Sequence, residues 1–299
     1  MLTNTSFRTL RKVKQQGVLN EFSTVIIKDK QNQKLVLKRY IGKKVLLFKL
    51  LTREARVLRW LNKNALSKNL SDIHIPQLIS EYRTKTEITI LRQYIKGKTL
   101  RCFDIKTQLE IFLRCDTYFK NIPISRTADI KHIIVTKNQL YILFCFIFYY
   151  LRVLVKRNVI NYQLFRLSIK FFLLSLGSIL SPTHYSLTHG DLSLDNIIYD
   201  SRQKKITIID FSDVAVAEKE TDLVIFSEYN HQLYSLKRFL SFIKSEITTP
   251  NSRKAFVKLA IFYLFQTLSS EDKQSYFYQN AVKYTDTLLY KIIPLIQTK

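Results

Sequence analysis

The chain has 299 residues, of which 46% are hydrophobic and 24% charged, so it can bury a sizeable core and is not a disordered or low-complexity protein. Its 48 Lys and Arg residues outnumber 23 Asp and Glu residues. The net charge of +25 favours anionic partners: nucleotide phosphates, an acidic substrate, nucleic acid or a membrane surface. Because the basic residues are spread along the whole chain, a solvated basic surface without a specific partner explains them equally well.

The N-terminus and the cysteines indicate the compartment. Residues Met1 to Lys14 contain no apolar core segment, so we predict no secretory signal. Cys102, Cys115 and Cys145 form neither a CxxC pair nor a Cys/His metal spacing, which suits a reducing cytosol. We therefore predict a cytoplasmic protein, with peripheral association with the inner membrane face as an alternative.

The first 95 residues have the pattern of a β-rich region with one helix. Phe22 to Lys28 and Lys34 to Tyr40 predict two strands, since both are short, apolar and separated by a polar turn. Apolar residues at three- and four-residue spacing predict an amphipathic helix over Leu50 to Asn64. Gln77 to Tyr82 and Glu87 to Tyr94 then predict a β-hairpin.

From about residue 98 the pattern is mainly helical. Leu140 to Val155 and Leu167 to Leu180 are apolar runs shorter than the roughly 20 residues that a membrane-spanning helix needs, so we predict two buried helices. Contact of the first run with a membrane is the alternative. Within this region, Asn196 to Tyr199 and Lys205 to Ile209 predict a short hairpin. We thus expect an α+β chain with a small β-rich lobe, residues 1–95, and a larger helical lobe, residues 96–299.

Polar side chains cluster at the ends of the predicted 196–209 hairpin. Asp191 and Asn196 precede or open its first strand, and Asp210 follows its second. Because a hairpin brings its ends together, these oxygens should meet, either to bind a hard cation such as Mg²⁺ or to orient a hydroxyl group. The alternative is that Asp and Asn only form polar turns.

Lys38 and Glu54 are the complementary charges in the first region. Lys38 lies near the end of an apolar strand and Glu54 within the apolar stripe of the predicted helix, where an unpaired charge is costly. Pairing Lys38 with Glu54 explains both positions. Alternatively, Lys38 is an exposed strand-end residue, and Glu54 pairs locally with Arg53 or Lys49.

The segment His189-Gly-Asp-Leu-Ser-Leu-Asp-Asn196, followed by Asp210-Phe-Ser-Asp213, resembles the catalytic segments of the aminoglycoside phosphotransferase and choline kinase family. Weaker similarities to this family occur at Gly17-Val-Leu-Asn20, Val36-Leu-Lys38, Arg53 to Leu61 and Asp222-Leu223. The resemblance covers Gly17 to Leu223 and implies the protein-kinase-like, two-lobed fold. The residues after Leu223 resemble no family that we can name.

The resemblance also implies roles for individual residues. Asp191 would be the catalytic base or hydroxyl-orienting carboxylate, and His189 would support its loop. Mg²⁺ would be bound by Asn196 and Asp210. The ATP phosphates would be bound with the help of Lys38, Glu54, Gly17 and Asn20, and adenine by Gln93, Tyr94 and Ile95.

Two serines distinguish the chain from protein kinases. Ser212 stands where protein kinases have the glycine of their Asp-Phe-Gly motif, and Ser193 stands where protein serine kinases have a lysine after the catalytic aspartate. The resemblance therefore implies a kinase that transfers the γ-phosphoryl of Mg-ATP to a hydroxyl of a sugar, an amino-alcohol or a sugar-containing lipid.

Three alternatives remain open at this point. A membrane-side kinase of a lipopolysaccharide core sugar would explain the basic charge and the aromatic segment from Leu140. A pseudokinase or binding module would explain why Gly17 is the only glycine in its loop. Nucleic-acid binding rests on charge alone and ranks last.

Overall fold

The computed structural model describes residues 8–13, 22–64, 73–132, 134–157, 162–179, 184–233, 235–270 and 274–297. The strands are β1 (Arg8–Val13), β2 (Phe22–Lys28), β3 (Lys34–Ile41), β4 (Ile73–His74), β5 (Leu78–Arg83), β6 (Glu87–Gln93), β7 (Lys98–Thr99), β8 (Val135–Thr136), β9 (Tyr185–Thr188), β10 (Ile197–Asp200), β11 (Lys205–Ile208) and β12 (Ala215–Glu218). The α-helices are α1 (Val45–Asn64), α2 (Ile105–Lys120), α3 (Gln139–Arg157), α4 (Tyr162–Ile179), α5 (Thr221–Asn230), α6 (Leu236–Glu246), α7 (Pro250–Ser270), α8 (Tyr276–Thr287) and α9 (Ile293–Gln297). The predicted α+β class, with strands concentrated in the N-terminal part and helices in the C-terminal part, is confirmed.

The chain divides into two compact units. The first comprises Met1–Tyr118, Ile122–Val135 and Leu194–Val214, and the second Phe119–Asn121, Thr136–Ser193 and Ala215–Lys299. This division differs from the predicted lobes 1–95 and 96–299, because β10 and β11 pair with β7 and β4, which lie far away in the sequence. As a boundary between functional lobes, the division at residue 95 stays a prediction.

A five-stranded sheet with the order β1-β2-β3-β6-β5 forms the core of the first unit. The two predicted N-terminal strands and the β5–β6 hairpin are confirmed. Helix α1 packs on this sheet, where Leu51 and Ala55 are buried with Tyr40 and two isoleucines of β6. The helix begins at Val45 instead of the predicted Leu50, since Leu47 and Phe48 already pack against this cluster.

The predicted 196–209 hairpin lies at the centre of a second sheet, with the order β4-β11-β10-β7. Its strands are antiparallel, with Ile197 opposite Ile208. Beside it lies Gly97, whose φ of 148° is one that side chains rarely allow. A Cβ atom at Gly97 would lie 2.7 Å from Cγ2 of Ile198 and 2.9 Å from the carbonyl oxygen of Tyr199. This close approach therefore requires glycine.

The second unit combines a short sheet with a group of helices. Strands β9 and β12 pair antiparallel, with Thr188 opposite Ala215. Both strands have four residues, too few for an alternating pattern to stand out, so the sequence did not predict them. The helices α3, α4 and α7 meet at aromatic rings: the Phe146 ring stacks on that of Phe171 at 3.7 Å and lies tilted against that of Phe265 at 5.0 Å.

The two apolar runs form the predicted helices α3 and α4, but the prediction that these helices are buried is wrong. One face of each helix is exposed: Phe144 and Val155 on α3 are 69% and 80% exposed, and Leu173 on α4 is 66% exposed. Hydrophobicity alone did not reveal this, because both faces of each helix are apolar. Within the described residues, Gln139–Lys156 is the one segment long and apolar enough to cross a membrane, and only 17% of it is buried.

A buried ion pair joins α7 to β12 in the second unit. Nζ of Lys258 lies 2.6 Å from Oε1 of Glu218, and both side chains are almost fully buried. Gln139 completes a triangle, donating to Glu218 at 2.8 Å and accepting from Lys258 at 2.6 Å. Burial lowers the pKa of Lys258, and the Glu218 carboxylate opposes that shift. The pair therefore holds the helix to the strand only while both partners are present.

We predict that Lys258→Met destabilises the chain by about 3–5 kcal/mol, because it leaves the Glu218 carboxylate buried without its cation. The double variant Lys258→Met/Glu218→Leu removes both charges and should be closer to the wild type in stability. Urea unfolding of the three proteins measures this difference. Equal losses in the single and the double variant would contradict this account of the pair.

Glu228 on α5 is a second buried carboxyl group, only 2% exposed. Burial raises its pKa to about 7, although a hydrogen bond with Thr267 lowers it in part. The folded chain therefore holds this proton more tightly than the unfolded chain, in which the pKa is near 4.5. The stability gained is complete below the unfolded pKa and is lost as the pH rises through about 7.

We expect Glu228→Gln to remove this pH dependence, since glutamine is neutral at every pH. Between about pH 5 and about pH 8, the wild type should lose on the order of 3 kcal/mol more stability than the variant. The measurement is the urea unfolding free energy of both proteins across this range. If the unfolding free energies of the two proteins change in parallel with pH, the raised pKa of Glu228 in the folded chain is contradicted.

Candidate active site

Lys38 and Glu54 form a buried ion pair inside the first unit. Lys38 projects from β3 and Glu54 from α1, and they are 4% and 1% exposed. Nζ of Lys38 donates to both carboxylate oxygens of Glu54, at 3.0 and 2.9 Å. The predicted pairing is therefore present. The local alternative for Glu54 is wrong, because Arg53 instead donates to the carbonyl oxygen of Ser212 at 3.1 Å.

Asp210 is the second anion beside Lys38, with its Oδ2 atom 3.2 Å from Nζ. Burial lowers the pKa of Lys38, but the carboxylates of Asp210 and Glu54 outweigh it, so the pKa is raised overall and the amine stays charged. Burial raises the pKa of Glu54, and the Lys38 charge opposes that shift. Asp210 has a φ of 65°, an uncommon value outside glycine that is found at functional sites.

The β10–β11 hairpin brings Asn196 and Asp210 to the same end. The backbone N–H of Ile209 donates to the carbonyl oxygen of Asn196 at 2.9 Å, directly beside Asp210. The adjacent Asp195 is held by Arg101, whose Nε and Nη2 atoms donate to its carboxylate at 2.8–3.0 Å. The hairpin end therefore presents an amide and a carboxylate group near one lysine.

Asn196 and Asp210 supply the oxygen ligands that Mg²⁺ prefers. Among the described residues, no three His, Cys, Asp or Glu side chains form a metal cluster. Magnesium does not require such a cage, since it is commonly held by one or two protein oxygens together with substrate phosphates and water. The donor set thus fits Mg²⁺ bound with a nucleotide.

The loop after β9 carries His189 and Asp191 in the second unit. Asp222 organises it, since Oδ2 accepts from the N–H of His189 and Oδ1 from that of Gly190, both at 2.8 Å. Gly190 has a φ of 82°, which favours glycine. The His189 ring is fully buried and packs edge-on against Phe119. This burial is compatible with the predicted supporting role of His189, which stays a prediction, and Asp191 on the same loop is half-buried.

Gln93, Tyr94 and Ile95, the predicted adenine-binding residues, line an open cavity of about 120 Å³ in the first unit. Its other lining residues are Lys96, Asp200, Gln203, Lys205 and Thr207. The Gln93 side chain lies 3.1 Å from Nε2 of His74 and accepts from the N–H of Gln77, so it has a structural role. Adenine binding by this segment stays a prediction. Gly17 and Asn20, predicted for the phosphates, lie outside the described residues.

Several contacts around these residues were not predicted from the sequence. Asp222 was noted only through the resemblance, without its two backbone partners, and the Arg53–Ser212 and Arg101–Asp195 contacts were not predicted. Each contact joins residues that are 32 or more positions apart, and a single sequence contains no signal for such a pairing.

We predict that Asp222→Ala costs about 2–4 kcal/mol of unfolding free energy, because it leaves two N–H groups without their charged acceptor. Asp200→Ala is a matched control: its carboxylate also accepts from two N–H groups, those of Arg202 and Gln203, but on an exposed turn. The control should cost less than about 1 kcal/mol. Urea unfolding, with hydrogen exchange at His189 and Gly190, measures the effect, and equal losses in both variants would contradict it.

The sequence matches no family model and no curated protein. The fold does match solved structures. A thermostable mutant of aminoglycoside phosphotransferase APH(4)-Ia, in a ternary complex with AMP-PNP and hygromycin B, is 12% identical, with a TM-score of 0.65 over 98% of this chain and 96% of that chain. APH(2")-IIia, in a complex with GDP and kanamycin, is 16% identical, with a TM-score of 0.64 over 95% and 93%. ADP-bound APH(2'')-Ib is 14% identical, with a TM-score of 0.56 over 99% and 95%.

These matches extend over nearly the whole length of both chains in each pair. They include the residues after Leu223, for which the sequence shows no resemblance. The TM-scores of 0.64 and 0.65 establish a common fold, and at identities of 12–16% function has to be argued from the site. The chain has the protein-kinase-like fold of the aminoglycoside phosphotransferases, as its motifs predict.

Proposed function

We propose that the chain is an ATP-dependent phosphotransferase that moves the γ-phosphoryl of Mg-ATP to a hydroxyl group of a small molecule. The observation that carries this proposal is the buried Lys38, held 2.9 Å from Glu54 and 3.2 Å from Asp210. A buried lysine shared by two carboxylates, one of them on Asp210 with its φ of 65°, is a candidate functional site. A lysine held in place by carboxylates is suited to binding nucleotide phosphates.

Each residue of the site has a part in this reaction. Lys38 would contact the α- and β-phosphates, with Glu54 holding its ammonium group in place. Asn196 and Asp210 would hold Mg²⁺, which supplies positive charge against the phosphate oxygens. Gln93, Tyr94 and Ile95 would bind adenine through main-chain groups.

Asp191 would orient the acceptor hydroxyl and take up its proton. The acceptor oxygen then bonds to the γ-phosphorus as the bond from that phosphorus to the bridging oxygen of ADP breaks, and ADP leaves with that oxygen. Little covalent chemistry falls to the protein, so catalysis rests on position and charge. The Asp222 contacts, which fix the loop of His189 and Gly190, would contribute to that position.

The acceptor that we propose is a sugar, an amino-alcohol or a sugar-containing lipid. The similar structures support a polyhydroxylated small molecule, since two of them hold hygromycin B or kanamycin. The net charge of +25 argues against a cationic antibiotic for this chain.

A pseudokinase is the second candidate, on the ground that only Gly17 marks the phosphate loop. The complete set of Lys38, Glu54, Asp191, Asn196 and Asp210 argues against it. A lipopolysaccharide core sugar as acceptor receives no support from the similar structures. Because those structures hold GDP as well as AMP-PNP and ADP, the assay should compare ATP with GTP.

We predict that Asp191→Asn lowers phosphoryl transfer about 10²–10⁴-fold, because it removes the proton acceptor. The measurement is transfer from radiolabelled ATP across a panel of sugars, amino-alcohols and glycolipids. Thermal stabilisation by Mg-ATP should be unchanged in this variant and lost in Lys38→Met.

Asp195→Asn is the matched control, since Asp195 lies on the same segment but is engaged by Arg101 at the surface. It should change transfer little. Wild-type transfer by Asp191→Asn would overturn the role of Asp191. Stabilisation by Mg-ATP without transfer to any acceptor would favour the pseudokinase.

A further inference from the structure

Helices α3 and α4 expose large apolar side chains on one side of the second unit. We call these residues the apolar face: Leu140, Phe144, Ile147, Phe148, Leu151 and Val155 on α3, and Tyr162, Phe165, Ile169, Leu173 and Leu176 on α4. They recur at three- and four-residue intervals, so they form one stripe along each helix. Soluble monomers rarely expose a large contiguous apolar surface without a partner.

The opposite sides of these helices pack against the rest of the second unit. On α3, Phe146 and Val153 are buried, and Tyr149 contacts Phe262 of α7 at a ring distance of 5.7 Å. On α4, Leu167 and Phe171 are buried. The apolar face is therefore additional to the core that the fold needs. Because α3 is held along its length by α7, it is suited to lying on a membrane rather than to crossing one.

The charges in this region all have one sign. From Ile130 to Gly190 the chain contains seven Lys and Arg residues and no Asp or Glu. The guanidinium of Arg152 lies 5.7 Å from the Phe148 ring, and that of Arg166 lies 5.6 Å from the Tyr162 ring. Basic groups stacked on exposed aromatic rings are the pattern of an interfacial helix on an anionic surface.

The basic groups are concentrated at one end of the helix pair. Only residues 158–161 separate the two helices in sequence, and so short a connection makes consecutive helices antiparallel neighbours. Phe146 stacking on Phe171 agrees with that arrangement. The C-terminal end of α3, with Arg152 and Lys156, therefore lies beside the N-terminal end of α4, with Arg166.

We propose that the apolar face docks the chain onto an anionic phospholipid membrane, with α3 and α4 lying in the plane of the surface. The apolar side chains would enter the acyl boundary, and Arg152 and Arg166 would contact headgroup phosphates, whereas Lys156 lies over the Tyr278 ring of α8 at 5.1 Å. A second copy of the chain fits less well, since the exposed carboxylate that contacts these helices is that of Asp286, which already accepts from Gln163 of α4 at 2.9 Å. The proposal does not depend on the phosphotransferase function, and measurements of membrane binding alone can test it.

The test is co-sedimentation of the full chain with vesicles of phosphatidylcholine, either alone or mixed with phosphatidylglycerol. The chain should bind the mixed vesicles, and added salt should weaken that binding. Phe144→Ser/Leu173→Ser should reduce binding about tenfold or more, because two exposed side chains no longer enter the membrane. Val45→Ser/Ile79→Ser is the matched control, since it alters exposed apolar residues on α1 and β5 and should bind as the wild type does.

A second pair of variants changes charge without changing the apolar face. Arg152→Gln/Arg166→Gln should weaken binding to the mixed vesicles about tenfold. Lys30→Gln/Lys85→Gln removes the same net charge from exposed turns of the first unit and should have little effect. This comparison separates local contact from the general attraction of a basic chain.

Three results would overturn the proposal. The first is failure of the wild type to bind the mixed vesicles at low salt. The second is equal binding by the apolar-face variant and its control. The third is a wild-type dimer in sedimentation velocity that Phe144→Ser/Leu173→Ser dissociates, which would assign the face to self-association.

Discussion

A lysine buried between two carboxylates is the interaction on which the first unit depends. Lys38 is 4% exposed, and a charge in that position is tolerated only while Glu54 and Asp210 remain within reach. This need for nearby carboxylates requires three segments to lie close together: strand β3, helix α1 and the turn after β11. Each is also held by apolar contacts or by strand pairing, so the charges are positioned by a rigid framework.

The sequence predicted those parts of the site whose signals are local. Lys38 and Glu54 each occupy a polar position within an apolar pattern, and burial of one such charge requires the other. The 196–209 hairpin was predicted because two short apolar runs flank a polar turn. Pairings between distant segments had no local signal: β10 pairs with β7 and β11 with β4, which places the hairpin in the first compact unit. The lobe boundary at residue 95 stays a prediction.

The same difference between local signals and contacts with distant segments explains why α3 and α4 were predicted as helices but wrongly predicted to be buried. An apolar run predicts a helix, and it also predicts burial if every apolar surface finds a partner within the chain. Phe146 and Phe171 do find partners, whereas Phe144 and Leu173 do not. A sequence does not state how many neighbours a helix will have, so the exposure of one face was visible only in the structure. That exposed face is the feature of this chain that its fold alone does not require.

The most direct test of the proposed nucleotide site is a crystal structure of the chain grown with AMP-PNP and Mg²⁺. The proposal predicts that Nζ of Lys38 contacts the α- and β-phosphates and that oxygens of Asn196 and Asp210 bind the metal. Main-chain groups of Gln93 to Ile95 should contact the base. A nucleotide bound elsewhere, or a Lys38 that contacts only Glu54 and Asp210 beside a bound nucleotide, would contradict it.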